Sequence, residues 1–233
     1  MVNGRCIVLR SPGHTEIMEF PVPHPKPGAL VLRMHRCSVC GSDVHIWKGE
    51  HPSPRYAKNF VMGHEGVGEI LELGEGVECD WAGVPVKAGD RVIPANFVRC
   101  GKCYACLHGN GQLCMHTKMD YYKDALSWPH YIGTFGTHMY VLPVQPFFKI
   151  PDSVPDKVAA SANCAMSTAY AAVDRSGLKN GENIVIQGAG GLGLHAAAIA
   201  HERGARVITV EGNPERIALA REFGADEVVD MRE

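Results

Sequence analysis

Over roughly the first 150 positions the apolar residues fall in short runs separated by turn-forming residues. Positions 1–10, 29–34, 66–73, 91–94 and 139–142 are rich in Val, Ile, Leu and Met, and are bounded by the clusters 21–27, 74–76 and Gly89-Asp90. Short strands at this spacing predict an antiparallel barrel or sandwich. The stretch 143–155 carries prolines at 143, 146, 151 and 155 and reads as a connector. Beyond it the pattern changes. Positions 156–162 and 167–175 are Ala-rich and predict helices, 183–187 a short apolar strand, 191–203 a helix and 206–210 a second strand. A helix over 214–223 has Pro in its first turn, and 227–229 opens a third strand. Strands alternating with helices predict a parallel sheet. The expected organisation is therefore a β domain over 1–150 and an α/β domain over 151–233, with no internal repeat and no low-complexity tract.

Composition narrows the function classes. Hydrophobic residues make up 45% and charged residues 21% of the 233, with a net charge of −2 and both signs interspersed. A nucleic-acid binder would normally carry a basic stripe. No apolar stretch reaches bilayer-spanning length, and residues 1–10 lack the charged-then-apolar order of a secretory leader. The expectation is a cytoplasmic protein without membrane or nucleic-acid partners. In a reducing compartment the nine cysteines read as metal ligands or small buried residues more readily than as disulfides.

Four of them, Cys100, Cys103, Cys106 and Cys114, are spaced C-x2-C-x2-C-x7-C within a lobe spanning 97–116. Four thiolates so close in sequence can wrap a tetrahedral zinc and leave no open position, which predicts a structural site. The competing readings are an iron–sulfur site or four unrelated buried cysteines. Further on, the strand ending at Gln187 runs into Gly188-Ala189-Gly190-Gly191-Leu192-Gly193. This is G-x-G-x-x-G between a strand and a helix, the setting in which Gly188, Gly190, Gly191 and Gly193 admit a dinucleotide pyrophosphate to a helix N-terminus. A ligand-free glycine turn is the alternative. Glu211 follows the next strand, 206–210, where an acid binds the adenosine ribose hydroxyls and repels a 2′-phosphate, so NAD is expected over NADP. The competing role for Glu211 is an acid leading the helix at Pro214.

Gly63-His64-Glu65, with Gly68, Gly74 and Val77, resembles the motif of the zinc-containing alcohol dehydrogenases of the medium-chain dehydrogenase/reductase superfamily. Cys40-Gly41-Ser42-Asp43-Val44-His45 resembles that family's first ligand segment, and Cys164 lies just before Ser167-Thr168-Ala169-Tyr170 as its third ligand does. The resemblance covers essentially the whole chain. It implies a GroES-like antiparallel β-barrel followed by a Rossmann parallel sheet. It further implies a catalytic zinc on Cys40, His64 and Cys164, with Glu65 a carboxylate that approaches the metal and Asp43 orienting His64. Ser42 and His45 become a proton relay, Thr168 a nicotinamide contact and Arg216 a neighbour of the ribose. Each has a plainer alternative: Asp43 and Ser42 as turn or capping residues, His45 as a surface histidine, Thr168 as a helix-start residue, Arg216 on a solvated helix face. Cys37, Cys6 and Cys79 are expected to be small buried or neutral cysteines. Gly41 departs from family members that carry Arg there for the pyrophosphate.

The activity implied is hydride transfer between a small hydroxyl or carbonyl substrate and a nicotinamide cofactor. Trp47, 49–58 and 115–131 would help to shape the substrate pocket. A complete dinucleotide fold has six strands and only three are predicted here. The expectation is therefore an incomplete Rossmann domain without the half that usually forms the family's homo-oligomer. The alternative reading is a truncated zinc-binding remnant without turnover.

Overall fold

The computed structural model describes residues 2–51, 59–114, 116 and 124–233. Most of 49–58 and the first half of 115–131, where part of the substrate pocket was expected, lie outside the described residues. The chain divides into two compact units between Asn163 and Cys164.

The first unit holds two antiparallel sheets. In one, β1 (Asn3–Ser11) lies between β2 (His14–Pro21) and β4 (Phe60–Val61). In the other the order is β7-β3-β5-β6-β8, built from β3 (Leu30–Ser38), β5 (Glu65–Leu73), β6 (Arg91–Pro94), β7 (His138–Val141) and β8 (Phe147–Lys149). Successive residues of a strand point to opposite faces, and here both faces of β3 and β7 are covered. Leu30, Leu32, Met139 and Val141 pack with Ile70, Val92 and Phe147. Val31, Tyr140 and Leu142 join Cys6, Val8 and Tyr131 on the other side. That double burial explains why 29–32 and 139–142 read as unbroken apolar runs. The 143–155 stretch is not a free connector: it contains β8, which pairs with β6 and buries Phe147.

Among the described residues this unit carries three short helices: α1 (Gly41–Lys48), α2 (Tyr104–Leu107) and α3 (Asp156–Ala159). The helix expected over 156–162 stops at Ala159 and is followed by a π-helical turn, Ala162–Met166. Neither α1 nor β2 was anticipated from the apolar pattern. In α1 only Asp43 and Ile46 are buried, so it shows no apolar stripe. In β2 Ile17 is exposed, which blurs the alternation.

The second unit is a parallel sheet of order β11-β10-β9, from β9 (Asn183–Gln187), β10 (Arg206–Glu211) and β11 (Glu227–Asp230). Helices α4 (Ser167–Arg175), α5 (Gly191–Glu202) and α6 (Pro214–Glu222) accompany it. Their contact surface is largely alanine: Ala197 and Ala200 of α5 and Ala220 of α6 pack with Val207 of β10 and Ile186 of β9. Small side chains let helix backbones sit close to the sheet. Asn213 caps α6, its Oδ1 accepting from the Glu215 N–H at 2.9 Å and the Arg216 N–H at 3.2 Å, as expected for Asn one position before an N-terminal Pro. No described helix is long and apolar enough to cross a membrane.

Candidate metal centres and nucleotide loop

The four-cysteine lobe places a thiol at the end of each local turn. Cys103 precedes α2, Cys106 lies on it, and Cys114 ends a 3-10 turn, Gly111–Leu113. The sulfurs of Cys103 and Cys106 are 3.5 Å apart, Cys103 and Cys114 3.8 Å, and Cys100 and Cys106 4.0 Å. Four sulfurs at about 2.3 Å from a central zinc stand about 3.8 Å from one another. The observed spacings bracket that value, and an all-thiolate set suits zinc. The donors therefore fit a tetrahedral ion with no vacancy. All four ligand atoms lie within 4.8 Å of one another.

A second cluster is dispersed in sequence: Cys40, His64, Glu65 and Cys164 also bring their ligand atoms within 4.8 Å of one another. Cys40 is the N-cap of α1. Asp43, on the first turn of that helix, is only 3% exposed and spans two members of the cluster. Its Oδ2 accepts the Cys40 N–H at 2.9 Å and its Oδ1 lies 3.1 Å from His64 Nδ1. Glu65 opens β5 and is 3% exposed, with Oε1 buried and without a hydrogen-bond partner among the described residues. A carboxylate oxygen stranded beside two thiols and an imidazole is costly by itself and becomes reasonable with a cation there. Cys164 sits on the π-helical turn, bonded to Asn163. Such turns are frequent at functional sites.

Cys37 is set apart from this cluster. Its thiol donates to the Thr134 carbonyl at 2.7 Å, and burial pushes its pKa up to about 11, so it is a neutral thiol. Burial likewise pushes Cys6 up to about 12. Cys79, by contrast, is exposed: it lies on an isolated bridge with Pro85 and not in a core.

Ser42 and His45 lie one turn apart on α1. Ser42 is half-buried, while His45 is exposed, with Nδ1 2.7 Å from Glu50 Oε2. Trp47 is 40% exposed on the same helix. Thr168 is exposed near the start of α4.

In the second unit the glycine loop turns between β9 and α5. Gly188 has φ +91°, a conformation that favours glycine, and its N–H donates to the Val210 carbonyl at 2.8 Å. A Cβ on Gly193 would run into the Gly188 carbonyl oxygen, whereas a Cβ on Gly190 or Gly191 would meet nothing within 4 Å. Gly193 thus serves internal packing, and the other two leave open space over the helix N-terminus. Glu211, at the end of β10, takes the Ala189 N–H on Oε2 at 2.8 Å, and the Gly212 and Asn213 N–H groups on Oε1 at 2.7 and 3.0 Å. These backbone donors, Ala189 foremost, hold its pKa below the usual carboxylate range. Arg216 is exposed, with Nη1 3.9 Å from Glu211 Oε2.

Two residues at the dispersed cluster had no signal in the sequence. Thr134 donates through its N–H to Gly63 O and through Oγ1 to Glu65 O, each at 3.0 Å. Asn163 donates from Nδ2 to His64 O at 2.8 Å. Neither falls in a recognisable local pattern.

Residues 26–152 match the family model of the alcohol dehydrogenase GroES-like domain, and residues 191–233 that of the zinc-binding dehydrogenases. The 5-exo-hydroxycamphor dehydrogenase of Pseudomonas putida is 32% identical over 99% of this chain and 63% of its own length. The L-threonine 3-dehydrogenase of Pyrococcus horikoshii is 35% identical over 97% of this chain and 61% of its own length. The chain thus spans a little under two thirds of these relatives. Among solved structures, an alcohol dehydrogenase from Thermotoga maritima superposes with a TM-score of 0.92 at 32% identity, covering 100% of this chain and 64% of that one. Two others, each at 27% identity and over 99% of this chain, carry nicotinamide cofactors. An Escherichia coli alcohol dehydrogenase holds NADH (TM-score 0.83, 63% of that chain covered), and a Sinorhizobium meliloti zinc-binding dehydrogenase holds NADP (TM-score 0.82, 62% covered).

Proposed function

This chain belongs to the zinc-containing alcohol dehydrogenases of the medium-chain dehydrogenase/reductase superfamily, and on that premise we propose that it serves hydride transfer between a small hydroxyl or carbonyl compound and NAD. The observation that carries the reading is the meeting of Cys40, His64 and Cys164 with Glu65, whose buried Oε1 has no hydrogen-bond partner among the described residues, within 4.8 Å. Two thiolates and one imidazole leave room in a tetrahedral shell for a substrate oxygen, whereas the four-thiolate lobe leaves none and serves structure. When bound, zinc at the first centre supplies a Lewis acid to the substrate oxygen and NAD accepts or returns the hydride.

The chain's own groups do the rest. Asp43 draws the His64 Nδ1 proton toward itself, so that Nε2 is the nitrogen for a metal. Oxidation of an alcohol releases one proton besides the hydride. Ser42 Oγ would accept that proton while giving up its own hydroxyl proton toward His45, whose Nδ1 is held by Glu50 and whose Nε2 is the nitrogen left to take it and release it to solvent. Gly188 to Gly193 seat the pyrophosphate at the start of α5, with Thr168 and Arg216 near the nicotinamide and the ribose. Glu211 supports the preference for NAD. Its carboxylate is ionised and fixed beside the loop by three backbone donors, and a 2′-phosphate brought there meets like charge.

The test is metal analysis, titration with NAD and with NADP, and a survey of alcohols followed by nicotinamide reduction. Two zincs per chain, tighter NAD than NADP binding and alcohol-dependent reduction are expected. One zinc per chain with no dinucleotide binding overturns the proposal.

A further inference from the structure

Asn163 is the last residue of the first unit and is bonded to Cys164. Its side-chain amide uses Nδ2 twice, donating to the His64 carbonyl at 2.8 Å and to the carbonyl of Pro94, the last residue of β6, at 2.8 Å. Its Oδ1 is buried and has no hydrogen-bond partner among the described residues. An amide that spends both hydrogens on main-chain carbonyls and strands its oxygen is not arranged for greatest stability, because a buried acceptor left unmade costs free energy. What the arrangement secures is position. His64 contributes a ligand atom to the dispersed cluster, and so does the residue that follows Asn163.

The reference against which Asn163 is set is itself rigid. Three successive carbonyls, those of Gly63, His64 and Glu65, are each held. Thr134 takes the outer two through its N–H and its Oγ1, and Asn163 takes the middle one. The imidazole is steadied from the other side by Asp43. The peptide carrying His64 is thus held at three carbonyls, and Asn163 ties the π-helical turn that carries Cys164 to the middle one.

We infer that Asn163 is a positioning residue that registers Cys164 against His64 before any metal arrives. The inference rests on the reading that Cys40, His64 and Cys164 hold the catalytic zinc. Without the clasp the ion itself must gather the thiol, and the entropy of fixing that segment is subtracted from metal affinity. Losing a group that orients a metal ligand typically costs about 10–100-fold in affinity.

The experiment uses the full 233-residue protein, with zinc and cobalt(II) as probes, and compares wild type with Asn163→Ala and the near-isosteric Asn163→Asp. Affinity at each centre is read by competition with a chelator, and the cobalt–thiolate absorption counts thiolates at the dispersed centre. Both variants are expected to weaken that centre about 10–100-fold and to reduce its thiolate absorption, while the four-cysteine centre stays filled and reports an intact fold. Unchanged affinity and absorption at the dispersed centre overturn the inference, and so does a parallel loss of both centres, which would mean general unfolding. A wild type holding a single metal removes the underlying reading, and the inference with it, before any variant is made.

Discussion

Two cysteines three positions apart differ in chemistry because their surroundings differ. Cys37 donates to a main-chain carbonyl and its pKa is pushed by burial to about 11, whereas Cys40 shares a cluster with an imidazole, a carboxylate and a second thiol. Replacing Cys37 with Ala is expected to cost about 1 kcal/mol for the lost hydrogen bond and to leave two zincs per chain, as counted by metal analysis. Removal of a zinc by that change would put Cys37 among the ligands. Asp43 acts on the same cluster through two ligands at once. Asp43→Asn keeps the volume but replaces an acceptor with a donor. It is expected to weaken the dispersed centre about 10–100-fold while sparing the four-cysteine centre, a split that chelator competition reads directly.

At the scale of elements, the β9 turn and α5 depend on Gly193 and Glu211 for opposite reasons. Gly193 must have no side chain, since a Cβ there collides with the Gly188 carbonyl. Gly193→Ala is expected to destabilise the second unit by about 1–3 kcal/mol, as overpacking does, in a denaturant titration. Glu211 must be charged. Its folded-state pKa is lowered, so its contribution is complete above the ordinary carboxylate range and is lost as pH falls through the lowered value. Glu211→Gln is therefore expected to lower stability at neutral pH and to flatten the acid limb of the stability curve, and an unchanged acid limb would refute that role. Such elements were legible in the sequence because a strand, a glycine spacing and an acid at a set distance are local signals. The boundaries of β9, α4 and β6 fall where the apolar pattern placed them, and the four cysteines needed only their own spacing. The helix α1 was not legible, because it is held by the Asp43 capping contact and a Gly49 C-cap at φ +76° and not by an apolar stripe. The clasp of Asn163 was invisible for a related reason: its partners lie 60 or more positions away in the chain.

For the whole molecule, the two units draw stability from different sources, and the chain carries a separate optical signal for each. Its three tryptophans, Trp47, Trp81 and Trp128, all belong to the first unit, and Trp47 lies on the helix that Cys40 caps. The longer helices α4, α5 and α6 belong to the second, so far-UV dichroism weights that unit while fluorescence reports the first. A ligand that binds only the folded form stabilises it by mass action, by about 2.7 kcal/mol at one hundred times its Kd. For a unit of this size that corresponds to a rise of about 10 °C or more in Tm. NAD at that excess is therefore expected to raise the dichroism midpoint by about that amount and to move the fluorescence midpoint far less. A zinc chelator is expected to act mainly in the other sense, lowering the fluorescence midpoint as the four-cysteine lobe loses its ion. If both probes moved together under each ligand, the chain would unfold as one cooperative block and the separate assignment of the four-cysteine zinc to one unit and the dinucleotide to the other would lose its thermodynamic support. Two midpoints that respond to different ligands would instead establish that each unit keeps its own binding chemistry.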